Sequence, residues 1–204
     1  EVMAWAIVDD NAGSLADQLA QMRMPTALPP PILPSLAEPP DLPLKRKRRE
    51  KLLFDNGFGG FSGDGREYVI RLEQGQATPA PWANVLANDH FGTLVTESGG
   101  GFSWSVNSGE NRLTTWTNDP VCDRQVETLY LREEESAAVW SVTPAPSGQE
   151  APCEIRHGAG YSSWHKYSHG IIQEQRTFVA PDARVKVVRL RLTNNTERNR
   201  RLTA

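Results

Sequence analysis

Cysteine is the scarcest resource of this sequence: Cys122 and Cys153 are the only two in 204 residues. They stand far apart, with no C-x-x-C pair and no His-rich spacing. Neither a zinc site nor a disulfide framework is therefore indicated, and both read as free structural thiols. Long apolar runs are missing too. Nothing approaches the ~20 residues that a membrane-spanning helix needs, and no charged-then-apolar segment reads as a signal peptide. The expectation is a soluble piece with no direct membrane insertion. Net charge is small: 22 basic against 25 acidic side chains leave −3. Such a balance points neither to nucleic acid as a partner nor to an acidic solvating tail. Methionine does not stand at position 1, where the chain begins EVMAWAIV, and the closing RRLTA still reads as strand. The sequence is expected to be a segment of a longer polypeptide.

Proline, in contrast, is abundant and concentrated. In residues 1–24, Leu15, Leu19 and Met22 recur at helical spacing, which predicts a short amphipathic helix ending a preceding region. Residues 25–43, PTALPPPILPSLAEPPDLP, then hold eight of the 15 prolines. Each fixes φ and removes a backbone donor, so residues 25–50 read as an extended linker and a boundary. The linker runs into KRKRR at 45–49. Such a run suits nuclear import, nucleic acid or an anionic membrane surface, or else is a solvated junction. No aromatic side chain interleaves with these charges, so bases would find no stacking platform.

From Leu52 onward the pattern changes. REYVIRL (66–72), FGTLVTE (91–97), GFSWSVN (101–107), ETLYLRE (127–133), AAVWSVT (137–143), GIIQEQRTFV (170–179) and RVKVVRLRLTN (184–194) are short and rich in β-branched or aromatic residues. Turn formers bound each of them, and several alternate with period two. Phe102, Trp104 and Val106 are expected on one face of their strand and the serines on the other. In RVKVVRLRL the alternation slips between Val187 and Val188, as a bulge would cause. With no long amphipathic helix between strands, the fold class predicted for residues 51–204 is all-β, an antiparallel β-sandwich.

Residues 55–65, DNGFGGFSGDG, contain five glycines and invite comparison with phosphate loops. G-x-G-x-x-G fails because Ser62 stands where the third glycine belongs, and a strand rather than a helix follows. These glycines are better suited to turns and close backbone approach. Three of the four histidines, His157, His165 and His169, share parity on an extended chain. At about 3.3 Å per residue they are too far apart for one metal unless a turn at 158–160 intervenes. No G-x-S-x-G elbow positions a nucleophile, and REEES (132–136) reads as a solvated turn. The remaining chemical resource is aromatic: Trp82, Trp104, Trp116, Trp140 and Trp164 lie in the β-rich part, where such rings serve either as core or as platforms for sugar rings.

Taken in order, FDNGFGGFSGDGREYVI, TPAPWANVLANDHFGTLVTESGGGFSWSVNSGENRLTTWTNDPV, ETLYLREEES and IRHGAGYSSWHKYSHGI carry a specific resemblance. From about residue 52 to 204 the chain resembles the supersandwich-type β-domain that opens the phosphorylase-like region of bacterial cyclic β-1,2-glucan synthases, a family related to cellobiose and chitobiose phosphorylases. The resemblance implies a parent enzyme at the bacterial inner membrane, with this domain on the cytoplasmic side. UDP-glucose would be the donor, and inverting phosphorolysis with inorganic phosphate would set glucan length. In that family the general acid and the phosphate-binding residues lie in an (α/α)6 barrel after the sandwich. No catalytic residue, cofactor or metal site is therefore expected here, and the segment alone should be catalytically silent. Its implied partners are a β-glucan oligosaccharide, the barrel of the same chain and, because related phosphorylases use this region in dimer contacts, a second copy.

Within the sandwich, GGGFSWSVNSGENRLTTW (99–116) is the stretch to examine for contact with glucan or barrel. Trp104 and Trp116 would stack, while Asn107, Asn111 and Arg112 would reach hydroxyls. The same stretch reads as a hairpin turning at Ser108-Gly109, and both readings are compatible. A barrel-supporting scaffold, a carbohydrate-binding module and a self-association element all remain open. For the parent, a disaccharide phosphorylase is the alternative to a glucan synthase.

Overall fold

The computed structural model describes residues 13–21, 33–37, 49–116, 119, 121 and 123–204. Most of the proline-rich and basic stretch, together with Cys122, lies outside them. The one helix among the described residues, α1 (Leu15–Gln21), starts at Ser14, whose hydroxyl oxygen accepts from the Asp17 amide at 3.2 Å. That is N-capping chemistry, and Asp17 adds an acidic group in the first turn.

Among the described residues twelve strands follow: β1 (Gly59–Phe61), β2 (Glu67–Leu72), β3 (Ala83–Ala87), β4 (Phe91–Thr96), β5 (Gly101–Ser105), β6 (Tyr130–Glu133), β7 (Val139–Ser141), β8 (Cys153–Gly158), β9 (Tyr161–Ser168), β10 (Ile171–Val179), β11 (Lys186–Asn194) and β12 (Leu202–Thr203). All pairings are antiparallel. One six-stranded sheet has the order β1-β2-β8-β9-β10-β11, and two three-stranded sheets have the orders β3-β4-β5 and β12-β6-β7.

Side-chain parity shows how the layers meet. Across the large sheet, Ile70, Ile155, Trp164, Gln175 and Leu190 lie in one row and face inward. The neighbouring row, Arg71, Glu154, His165, Glu174 and Arg191, faces outward as a ladder of charges. Leu86 and Val95 of the β3-β4-β5 sheet pack against Ile70, Leu72, Cys153, Ile155 and Trp164. Beside them, Leu131, Trp140 and Val142 gather with Leu190 and Leu202. Both small sheets thus cover one face of the large sheet, and the all-β antiparallel sandwich is borne out. Cys153 is a free thiol in this core, where burial pushes its pKa up to about 12.

Polar groups stitch the layers together. Trp140 Nε1 donates to Gln173 Oε1 at 3.0 Å, and Trp164 Nε1 to the Glu97 carbonyl at 2.8 Å. The buried Lys166 ammonium donates to the Ser141 carbonyl at 2.6 Å and to Glu150 at 3.2 Å. The glycine-rich stretch is turn and strand: Gly57 adopts φ +92°, and β1 pairs with β2 so closely that a Cβ on Gly59 would meet the Val69 carbonyl.

Three expectations need correction. The β10–β11 ladder runs unbroken from Ile171↔Asn194 to Val179↔Lys186, so there is no bulge at Val187. The apparent slip arises because Lys186 shares the inner parity of Val188, Leu190 and Leu192, where it pairs with Glu127 at 2.7 Å. In β5, Ser103 is buried as fully as Phe102, since both faces of this strand are covered; Val106 lies beyond the strand with φ +62°. Finally, REEES is only in part a solvated turn. Glu133 is fully buried between Arg198, at 2.9 Å, and Arg200; burial would raise its carboxyl, but the hydrogen bond donated by Ser136 Oγ and then the two guanidinium groups hold it below the usual range. The ion cluster ties the C-terminal strand β12 to β6.

Candidate functional site

The stretch 99–116 does form a hairpin. β5 continues past its end through Ser105 N to Asn111 O at 3.0 Å and a Trp104–Arg112 bridge. Asn107 shapes the turn: its Oδ1 accepts from the amides of Gly109 at 2.8 Å and Glu110 at 3.0 Å. Asn side chains readily make such Asx turns, so the residue expected to reach a hydroxyl spends its acceptor on the backbone. Asn111 is exposed near the same turn and closes it, its amide donating to Asn107 O at 3.0 Å.

The other three expected residues come together. Trp116 stacks on Phe102 with centroids 4.9 Å apart and an interplanar angle of 26°, and Trp104 lies 5.2 Å from the same Phe102. The Arg112 guanidinium sits over Trp116 at 4.9 Å, while its Nε donates to Ser108 O at 3.0 Å. Trp104 is half-buried because Gly92, its cross-strand neighbour, leaves room for the indole. Trp116 is 38% exposed, so ring surface remains open to solvent.

Beside Trp116 runs a shallow groove of about 200 Å³, lined among others by Ala83, Leu94, Asp123, Arg124 and Val126. Asp123 is fixed there: Thr96 Oγ1 donates to it at 2.6 Å, and Ser98 Oγ donates to the same oxygen. Ala80, Pro81 and the exposed Val126 add apolar surface to the same lining. An apolar, aromatic surface edged by a fixed carboxylate and guanidinium groups offers what a sugar ring needs, namely a C–H face to cover and hydroxyls to bind. Asp123 and Arg124 were not foreseen. They lie between β5 and β6 in a stretch without periodicity, and nothing in their spacing marks them.

The histidines do not converge. His165 points outward beside Glu174 at 3.9 Å. His157 sits inside, bonded to Ser162 at 2.8 Å and to the Trp82 carbonyl, with burial lowering its pKa. His169 stacks on Trp140 at 4.0 Å. Among the described residues no group of three or more His, Cys, Asp or Glu could hold a metal ion. No described helix is long and apolar enough to cross a membrane.

Comparison with known proteins places this architecture. The chain is 43% identical over 150 residues to cyclic beta-(1,2)-glucan synthase NdvB of Rhizobium meliloti (strain 1021), covering 73% of this chain and 5% of that protein. It is 31% identical over 150 residues to N,N'-diacetylchitobiose phosphorylase of Vibrio furnissii, covering 72% of this chain and 18% of the relative. It is 29% identical over 140 residues to 3-O-beta-D-glucopyranosyl-beta-D-glucuronide phosphorylase of Paenibacillus borealis, at 68% and 17% coverage. The chain thus spans less than a fifth of each of these relatives. The family described as "Glycosyl hydrolase 94, supersandwich domain" matches residues 66–204, from the start of β2 through β12, and the chain belongs to that family.

Proposed function

We propose that this domain is the carbohydrate-associated sandwich of a glycoside-phosphorylase-type enzyme, shaping and supporting a catalytic barrel elsewhere in its parent. The observation that carries this reading is the family match across 66–204, which spans both layers of the sandwich. The groove beside Trp116 supports a direct contact with glycan, made by Trp104, Arg112 and Trp116 with Asn107 and Asn111 holding the hairpin. The general acid, the inorganic phosphate and any UDP-glucose donor would belong to other parts of the parent.

Two parents fit the relatives. A disaccharide phosphorylase accords with two of the relatives named above. A cyclic β-1,2-glucan synthase accords with the higher identity, 43% against 31%. In the second case the domain would sit on the cytoplasmic side of an inner-membrane protein and take β-1,2-glucan as its partner. A second copy of the chain is a further partner in either case.

Intrinsic tryptophan fluorescence, titrated with β-1,2-gluco-oligosaccharides, cellobiose and N,N'-diacetylchitobiose, tests the reading. A saturable change that is lost in Trp116→Ala supports glycan contact at the groove, and its ranking among the three sugars selects the parent. A flat titration of the folded chain against all three rejects direct contact and leaves the scaffold role.

A further inference from the structure

The lining of the groove beside Trp116 is held by three consecutive residues at the end of β4. Thr96 and Ser98 both donate to Asp123 and fix it in the lining. Glu97, between them, is only 4% exposed and serves a different part of the groove. Its Oε2 accepts from the Trp82 amide at 2.7 Å, and its Oε1 is hydrogen-bonded to Thr78 Oγ1. The segment so held supplies Ala80, Pro81 and Ala83 to the groove. The Trp164 indole, donating to the Glu97 carbonyl at 2.8 Å, ties the arrangement to the core.

One protonation state of Glu97 satisfies every contact. A threonine hydroxyl has a single proton to give, and sharing it between two acceptors weakens both bonds. Thr78 Oγ1 lies 2.8 Å from the Ala80 carbonyl, which can only accept, and bonds Glu97 Oε1 as well. Both bonds are whole when Thr78 donates to Ala80 and Glu97 donates to Thr78. Glu97 Oε1 then carries the proton, and Oε2 is the carbonyl oxygen that receives the Trp82 amide.

The surroundings favour that neutral acid. Burial, the largest influence, and the charge of Asp123 raise the Glu97 carboxyl, and they outweigh the hydrogen bonds that lower it. From β8, His157 Nε2 bonds the Trp82 carbonyl at 3.2 Å, and burial lowers its pKa, so it brings no charge at neutral pH. Arg124, next to Asp123, belongs to the groove lining.

We propose that Glu97 is a proton-dependent latch on the groove: as a neutral acid it keeps Thr78 on the Ala80 carbonyl and fixes the Ala80–Pro81 lining, and on ionisation it withdraws Thr78 and frees that lining. The proton it loses goes to solvent water. The carboxylate then takes the Thr78 hydrogen bond for itself, Ala80 loses its donor, and a second negative charge stands near Asp123. The groove is ordered below the midpoint of Glu97 and loosened above it. This deepens the carbohydrate-associated reading, on which it rests, by giving that site a regulator. Glu97 is a positioning residue, acting through Thr78 and Ala80.

The test is a pH titration of the ¹⁵N-labelled chain followed by amide chemical shifts. Affinity for a β-1,2-gluco-oligosaccharide is measured by tryptophan fluorescence at both ends of the series. The amides of Thr78, Ala80 and Trp82 are expected to move together, with one midpoint above the ordinary glutamate value. Affinity should fall about tenfold across it. Glu97→Gln offers an NH₂ to Thr78 and a carbonyl to the Trp82 amide, so it copies the neutral acid. It should keep the tighter affinity at every pH and abolish the shift titration. Thr78→Val removes the hydroxyl and should leave affinity weak at every pH. It serves as the second variant should Glu97→Gln not fold, and amide dispersion reports the fold of each. A midpoint at or below the ordinary value would overturn the latch. So would a titration that Ala80 does not follow, or a pH dependence of affinity that survives in Glu97→Gln. Absence of sugar binding at every pH would reject direct glycan contact, while the joint shifts and their loss in Glu97→Gln would still decide the latch.

Discussion

At the scale of single residues, the interior of this sandwich depends on buried ions as well as on apolar packing. Lys166 stands on the inner face of the large sheet, where burial lowers its pKa, and carbonyl oxygens of Ser141 and Gly148 together with Glu150 receive its ammonium. Glu150 responds to that charge. Burial would raise its carboxyl, but the His169 imidazole, 3.7 Å away, and the Lys166 ammonium outweigh burial and bring it from 4.5 down to about 2. A carboxyl whose folded pKa is depressed stabilises the fold above its unfolded pKa, and that contribution disappears as pH falls through the folded value. The melting temperature of Glu150→Gln should therefore lie below that of the parent chain at neutral pH. The gap should close between pH 4.5 and about 2. A pH series of thermal melts measures this, and a gap that stays constant down to pH 2 would show that Glu150 acts through packing alone. None of this was legible in sequence, because Lys166 and Glu150 meet across the sandwich and no spacing rule connects them. Glu133 is the same case: its run of three acidic residues looked like surface, and Arg198 and Arg200, 65 and 67 residues away, make it interior.

Among elements, those with apolar alternation or β-branched runs were readable, including β2, β4, β10 and β11. Those built from small or polar residues were not. β1 lies inside the glycine-rich stretch, and β9 reads YSSWHKYS because its inner face carries Ser162, Trp164, Lys166 and Ser168, all buried. A strand whose buried face is polar gives no hydrophobic period to detect. The hairpin of the candidate site was legible through its turn residues, and the cluster of Phe102, Trp104 and Trp116 was half-legible, since tertiary stacking decides which faces stay open. Its geometry rests on Gly92. A Cβ there would collide with the Trp104 indole, whereas glycine opposite an aromatic lets the ring lie across the strand. Gly92→Ala should displace Trp104, at a cost of about 1–3 kcal/mol, as overpacking usually does. Denaturant unfolding reads the stability, and near-ultraviolet circular dichroism reads the indole. An unchanged aromatic spectrum would mean that Trp104 is not held by this contact.

For the whole molecule, the chain leaves the large sheet after β2, builds both the β3-β4-β5 sheet and the β6-β7 pair, and returns with β8 beside β2. Arg71 and Glu154, paired across that seam, are 83 residues apart in sequence. Such non-local pairing is invisible to any window of the sequence, which is why the sandwich class could be foreseen and its strand order could not. The resulting sheet is unequally protected. β9 is paired on both sides, by β8 and β10, whereas β11 pairs only with β10 among the described residues. Every second amide of an antiparallel edge strand faces away from its neighbour. Val188 and Leu192 on the inner face of β11 are also partly exposed, so the strand lacks full cover as well as a second partner. Amide hydrogen exchange should therefore be slowest at Trp164 and Lys166, where it requires global unfolding, and faster by orders of magnitude at alternate residues of β11. Should all β11 amides prove as protected as those of β9, the edge must be covered in solution. Protection that falls on dilution would then identify β11 as the self-association surface, and protection independent of concentration would exclude it.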